Sequence, residues 1–257
     1  GYAADLVVVS DLEHFNVEQV YKNGDLAAEN GVMLHPAPLS FDEARFAPVL
    51  NSFSMDEITL RDLELKETGS HQRVICLTPH ELLTTERIVP FRQHPGTAPG
   101  VDVEHQIVKL AVFERHRHSG HVGLGFLGNY GLKCGAVASS IAHDSHNLIV
   151  AGTNDADMVL AGNAVRRNKG GLAFAANGVV LGTLALPVAG LMSLDSAEEV
   201  DAALHTLKEQ LKEYGIADGI DPFMTLAFVS LPVIPRLRLN TYGVVDVDRQ
   251  KILPAVF

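Results

Sequence analysis

Two runs of this sequence carry side chains that can move protons or grip a metal. One is Glu114-Arg115-His116-Arg117-His118, with His121 close behind; the other is His143-Asp144-Ser145-His146-Asn147. The chain holds 12 histidines in 257 residues, and imidazole both titrates near neutrality and serves as the commonest metal ligand. In a strand, positions i and i+2 face one side, so His116 and His118 could reach a single ion. Such a centre is completed by His, Glu and Asp from later strands of a barrel, and a full barrel takes roughly 250 residues. The stretch beyond His118 is shorter than that and does not alternate strand with helix. The expectation is that His116, His118 and His121 are polar residues near a strand end, held by hydrogen bonds, and that no metal site is built within this chain.

The second run lies between two apolar runs, Gly135 to Ile141 and Leu148 to Ala151. A buried polar group left without a partner costs about 1–3 kcal/mol. The pentad is therefore either a fully hydrogen-bonded structural knot or a site. Asp144 could orient a histidine, which could then act on a proton or a metal. Thr153-Asn154-Asp155 comes next, at what reads as a helix N-terminus, where backbone N–H groups can bind an anion or a polar ligand edge. The candidate site is His143, Asp144, Ser145, His146 and Asn147, with His116, His118 and Asn154 as weaker candidates.

Other chemistries lack their signatures. Gly123-Leu124-Gly125 and Gly170-Gly171 do not make a phosphate loop, and no Gly-x-Ser-x-Gly elbow is present. Asp56-Glu57 and Glu198-Glu199 read as solvated charges. Cys76 and Cys134 match no metal or redox spacing and read as two free, buried thiols of a reducing, cytoplasmic compartment. The net charge of -11 argues against nucleic acid and anionic membrane surfaces as partners. Arg166, Arg167 and Lys169 form the densest basic group, and at a helix end they complement its dipole. Val179 to Met192 is broken by Gly and Pro and is too short to span a bilayer.

The elements that must position these residues are legible in outline. Leu6 to Ser10 reads as a strand; Val17 to Lys22 and Asp25 to Ala28 flank Asn23-Gly24 as a hairpin. A loop with Pro36, Pro38 and Pro48 comes after them, then segments around Ile58 to Leu65 and Arg73 to Leu77 that read as strands. Residues 90–105, rich in Pro and Gly, are a boundary or a crossing loop. Ile107 to Phe113, Gly135 to Ile141 and Leu148 to Ala151 read as strands. Asn154 or Asp155 caps a helix running to about Asn168, ended by Gly170-Gly171. Asn177-Gly178 joins a second hairpin. Ser196 to Glu199 is a capping box opening a helix whose stripe Val200, Leu204, Leu207, Leu211, Tyr214 is core, with Gly215 as its stop. Phe223 to Leu231 and Gly243 to Val247 read as strands. The class is α+β: short strands over residues 1–90, then a mixed sheet-and-helix domain over 91–257, with no complete barrel. The abrupt opening Gly1-Tyr2-Ala3-Ala4-Asp5 before a buried-looking strand suggests a section of a longer chain.

The string RHRHSGHVGLGFLGNYGLKCGAVASSIAHDSHNLIVAGTNDADM, with LPVAGLMS, DPFMTLAFVSLPVIPRLRL and GVVDV, resembles the C-terminal domain of bacterial adenine deaminases. The opening GYAADLVVVSDLEHFNVEQVYKNGDLA resembles the strands after the barrel in the amidohydrolase superfamily, which implies that residues 1–90 belong to a small β-sandwich domain. The resemblance is collinear and covers nearly the whole chain. It implies hydrolytic removal of the 6-amino group of adenine, giving hypoxanthine and ammonia. It also implies a divalent metal pair, manganese or iron, on a barrel upstream of this segment, whose ligands cannot be carried onto these residues. A cytoplasmic homo-oligomer is implied. The resemblance points to the pentad as a wall of the adenine pocket; His121 stands where that family often has Asn, so no role carries over to it. The alternative reading is a non-catalytic module that binds a purine or makes oligomer contacts on the same fold. A free-standing metalloprotein would require stoichiometric metal on the two histidine clusters.

Overall fold

Short continuous apolar runs explain where the central strands form. The computed structural model describes residues 1–35, 43–50 and 52–257. The chain divides into two compact units, Gly1–Phe46 and Ala47–Phe257.

The first unit is an antiparallel sheet in the order β1 (Leu6–Val9), β2 (Val17–Lys22), β3 (Asp25–Glu29), β4 (Val32–Met33). Lys22 pairs with Asp25, and Asn23 and Gly24 have φ of 52° and 90°, the left-handed pair that a two-residue hairpin turn requires. Helix α1 (Glu43–Leu50) spans the point of division and contains Pro48, so that proline does not belong to a loop as expected. Pro36 and Pro38 lie outside the described residues.

The second unit is built on an eight-stranded sheet. Its strands are β5 (His71–Leu77), β6 (Thr84–Pro90), β7 (Ile107–Phe113), β8 (Val122–Gly128), β9 (Ala136–Ser139), β10 (Leu148–Gly152), β11 (Gly171–Ala176) and β12 (Val179–Ala185), in the order β12-β11-β9-β10-β7-β8-β5-β6. Within this sheet the β5–β8 pairing is parallel and the others are antiparallel. The central strands are apolar on both faces because both are covered. Leu110, Val112, Ile149, Ala151, Leu172 and Phe174 belong to one core cluster; Ala111, Phe113, Leu148, Val150, Ala173 and Ala175 belong to the other. This is the period of two that strand geometry imposes. The second cluster packs under α2 (Asp155–Arg167) and a 3₁₀ turn at Leu60–Leu63. The first packs under α3 (Ala197–Glu213), α4 (Pro222–Val229) and a small antiparallel sheet of β13 (Leu237–Asn240), β14 (Gly243–Asp246) and β15 (Lys251–Leu253). The architecture is α+β with no closed barrel among the described residues.

Several expectations change. Ile58 to Leu65 is not a strand: the Thr59 and Asp62 side chains form a reciprocal cap that turns the chain into the 3₁₀ segment. Phe223 to Leu231 is not a strand either. Asp221 accepts hydrogen bonds from the N–H groups of Phe223 (3.0 Å) and Met224 (2.9 Å), and Pro222 sits in the first turn, which starts a helix at an all-apolar run. Residues 91–106 form a crossing loop between β6 and β7 of one sheet. Cys76 is buried, but Cys134 is only partly so, and both are free. Strands β6 and β8 escape the sequence reading: β6 is a charged edge strand, and β8 carries Gly123, Gly125 and Gly128, a residue depleted in strands. No helix of the described residues is long and apolar enough to cross a membrane.

Candidate functional site

Strand register decides where the two histidine runs go. β7 and β10 pair antiparallel with Phe113 opposite Leu148, so the chain leaving β7 and the chain entering β10 emerge side by side. The structure therefore joins the two runs at one end of the sheet.

Arg115 is the tie. It is 2% exposed, and its guanidinium lies 4.6 Å over the Phe53 ring. Its Nε donates to the His146 carbonyl at 2.5 Å and its Nη2 to the Ala189 carbonyl at 3.1 Å. Its backbone N–H donates to Asn147 Oδ1 at 3.3 Å. Burial pulls its pKa down to about 10 against the supporting charge of Glu114, which still leaves it cationic at neutral pH. His116 Nε2 donates to the Ser145 carbonyl at 2.7 Å. Glu114 accepts from the N–H groups of His116 (2.5 Å), Arg117 (3.0 Å) and Ser119 (3.1 Å). Burial would raise its pKa, but these bonds and the Ser119 hydroxyl outweigh it and bring it to about 2.

Within the pentad, the roles divide. Asn147 is buried, His143 and His146 half-buried, Asp144 and Ser145 exposed. The His143 N–H donates to the Ala227 carbonyl at 2.9 Å, and its ring lies 4.8 Å from Phe228 and 5.5 Å from His146. His146 takes a left-handed φ of 49°, and its Nδ1 is buried without a partner. Burial lowers its pKa, helped by His143 and Arg115 and opposed by Asp144. At neutral pH this ring is an uncharged imidazole beside a second imidazole and an exposed carboxylate. Such a set can accept a proton or hydrogen-bond the edge of a polar ligand.

The weaker candidates separate. His116 joins the pentad. His118 turns away, its Nε2 2.7 Å from Ser54 Oγ and its Nδ1 3.4 Å from Asp56; His121 rests 5.0 Å from the Tyr242 ring. Asn154 lies beyond the opposite end of β10 and caps α2, accepting from Asp157 N at 2.8 Å and donating to Asp157 Oδ2 at 2.7 Å. Asp157 in turn accepts from Asn177 N and Gly178 N, so these groups lock a helix to a hairpin. The sequence reading assigned no part to Arg115, although it stands inside the first run. It also missed Phe228, because the segment holding it reads as a strand. Among the described residues no group of three or more His, Cys, Asp or Glu is arranged to hold a metal ion.

Comparison with known proteins matches residues 81–251 to a family model described as "Adenine deaminase C-terminal domain". Adenine deaminase 2 of Carboxydothermus hydrogenoformans is 44% identical over 256 residues, 99% of this chain and 44% of that protein. An adenine deaminase of Desulfatibacillum aliphaticivorans is 43% identical over 251 residues, 96% of this chain and 42% of its own length. One from Geobacillus kaustophilus is 39% identical over 255 residues, 99% of this chain and 44% of its length. The chain thus spans less than half the length of these curated relatives. With the family model covering β6 through most of the C-terminal sheet and the relatives aligned end to end along the chain, this protein belongs to the adenine deaminase C-terminal domain family.

Proposed function

We propose that the chain is the C-terminal section of a metal-dependent adenine deaminase, which converts adenine and water to hypoxanthine and ammonia. The observation that carries this is the 44% identity to a protein named adenine deaminase over 99% of the chain. Among the described residues no three or more His, Cys, Asp or Glu side chains come together to hold a metal ion. The manganese or iron pair belongs to the barrel in the part of such enzymes that this chain does not span. The protein is a cytoplasmic homo-oligomer with adenine as its small-molecule substrate.

In this reading the pentad lines the adenine pocket. The uncharged His146 ring and its neighbour His143 offer a polar edge complementary to a purine, and Arg115, His116 and Asn147 hold that edge in place. The test is ammonia release from adenine by the full-length enzyme carrying His143→Ala or His146→Ala. Turnover is expected to fall by about 10-fold or more, with the melting temperature little changed. Unchanged turnover with reduced stability makes the pentad structural only. A full-length enzyme that binds adenine and releases no ammonia points instead to a purine-binding or oligomer-forming module. The 257-residue chain alone is expected to release no ammonia above buffer.

A further inference from the structure

Away from the pentad, the face of the β5–β6 edge carries a second polar cluster. Gln72 pairs with Val89 and Val74 with Arg87 across these two strands, so Gln72 and Arg87 point to the same side. The 91–106 crossing loop passes over that side and is fastened there: Arg87 Nη2 donates to the His105 carbonyl at 3.1 Å, and Gln72 Nε2 donates to the Gly100 carbonyl at 2.7 Å. Between strand and loop lies a cavity of about 190 Å³, lined by Gln72, Arg87, Arg92, His94, Asp102 and His105, with an apolar floor of Val89 and Ile107. Sites for drug-sized ligands are ~300–1,000 Å³, so this one suits a group of a few heavy atoms.

Three polar atoms around this cavity are buried without a hydrogen-bond partner: Gln72 Oε1, Arg87 Nε and His94 Nε2. They are half of all such atoms among the described residues, and each is costly to leave unmet. Gln72 is 1% exposed. Its amide orientation is not arbitrary, because the nitrogen must face the Gly100 carbonyl, which leaves the oxygen as the free acceptor. A Cβ on Gly100, whose φ is +81°, would overlap that oxygen. The site's fixed charges are Arg87 and Arg92 against Asp102, which His105 Nδ1 approaches at 2.8 Å and His94 Nε2 at 3.7 Å. The balance is cationic, yet Gln72 Oε1 and Asp102 offer acceptors only. An anion that seats here must bring its own proton.

We propose that this cavity is a binding site for a protonated phosphate group, either free hydrogen phosphate or a small phosphomonoester. Its charged oxygens accept from the Arg87 and Arg92 guanidiniums, and its P–OH donates to Gln72 Oε1. This predicts discrimination between two anions of the same shape. At about pH 5.5 sulfate is still fully deprotonated, whereas inorganic phosphate holds a proton and so does most of a phosphomonoester, whose second pKa is about 6. A site built around an acceptor rejects the analogue that lacks the donor.

The experiment is isothermal titration of the full-length protein at about pH 5.5, where both phosphates carry a proton, with inorganic phosphate, methyl phosphate and sulfate. Phosphate or methyl phosphate is expected to bind one to one, and sulfate at least 10-fold more weakly. The tighter of the first two identifies whether the free ion or the ester is the occupant. Arg92→Met, on the exposed rim, is expected to weaken binding about 10-fold without changing the melting temperature; Arg87→Met is expected to weaken it from the wall and also to lower the melting temperature, because Arg87 Nη2 fastens the loop at the His105 carbonyl. Equal binding of phosphate and sulfate overturns the proposal, as does binding undiminished by Arg92→Met or no binding of either phosphate. Purine deamination plays no part in this readout, so the site stands or falls independently of the proposed reaction.

Discussion

His116 Nε2 donates to the carbonyl oxygen of Ser145 at 2.7 Å, across 29 positions of sequence. That bond closes the gap between two polar runs that the β7–β10 pairing has already brought alongside, and it sits next to the deeper tie made by Arg115. The end of the sheet is therefore one connected polar assembly with a single uncommitted buried atom, His146 Nδ1.

Arg115→Met should destabilise the protein more than any other change in the assembly. The variant keeps the contact with Phe53 but strands the His146 and Ala189 carbonyls. Loss of one partner from a buried charged network costs on the order of 3 kcal/mol. A thermal melt should show a fall of about 6–12 °C; a melt within a degree or so of the parent would remove Arg115 from its structural role.

His146 should make the fold more sensitive to acid. Its pKa is below the ordinary 6.5 in the folded state, so between the two values the unfolded chain holds more protons. Stability then rises with pH through this window and is lost as pH falls below about 6.5. Melting temperatures measured at about pH 7.5 and about pH 5.5 should differ less in His146→Gln than in the parent. An equal difference in both proteins would show that the ring titrates normally.

Glu114 acts at lower pH. Its pKa drops from 4.5 to about 2, so its contribution is complete above 4.5 and disappears as pH falls toward 2. Glu114→Gln should therefore melt below the parent at neutral pH, and the two curves should converge as acid is added. The carboxylate is largely solvated, so the gap is expected to be modest. Curves that stay parallel down to about pH 3 would contradict the assignment.

Gly123→Ala tests the contact between β8 and the C-terminal sheet. A Cβ on Gly123 would overlap the Asn240 carbonyl, and Gly243 N lies 3.0 Å from the same point. Both obstacles are backbone, so neither can rotate away. Destabilisation of about 3 kcal/mol is expected, read as a lower denaturation midpoint; a neutral substitution would mean that the two elements sit further apart.

Much of this fold was legible from local chemistry. Asn23-Gly24 and Asn177-Gly178 marked hairpins, because a two-residue turn needs left-handed backbone. Asn154 and Ser196 marked helix starts, because their side chains replace missing backbone partners. The apolar stripe of α3 predicted its buried Leu207 and Leu211. Where two local signals competed, the reading failed. Phe223 to Val229 is as apolar as a buried strand, and only the Asp221-Pro222 start makes it a helix. The polar runs were equally visible as residues but not as a pair. Their meeting depends on Phe113 facing Leu148, and strand register is set by packing among distant segments that no short window of sequence contains. Residue types and local patterns were thus enough to show which side chains could do chemistry and which backbone turns they flank. Long-range pairing, which no local pattern contains, is what brings His116 to Ser145, keeps His118 and Asn154 apart from the pentad, and sets Gln72 and Arg87 around one cavity beneath the crossing loop.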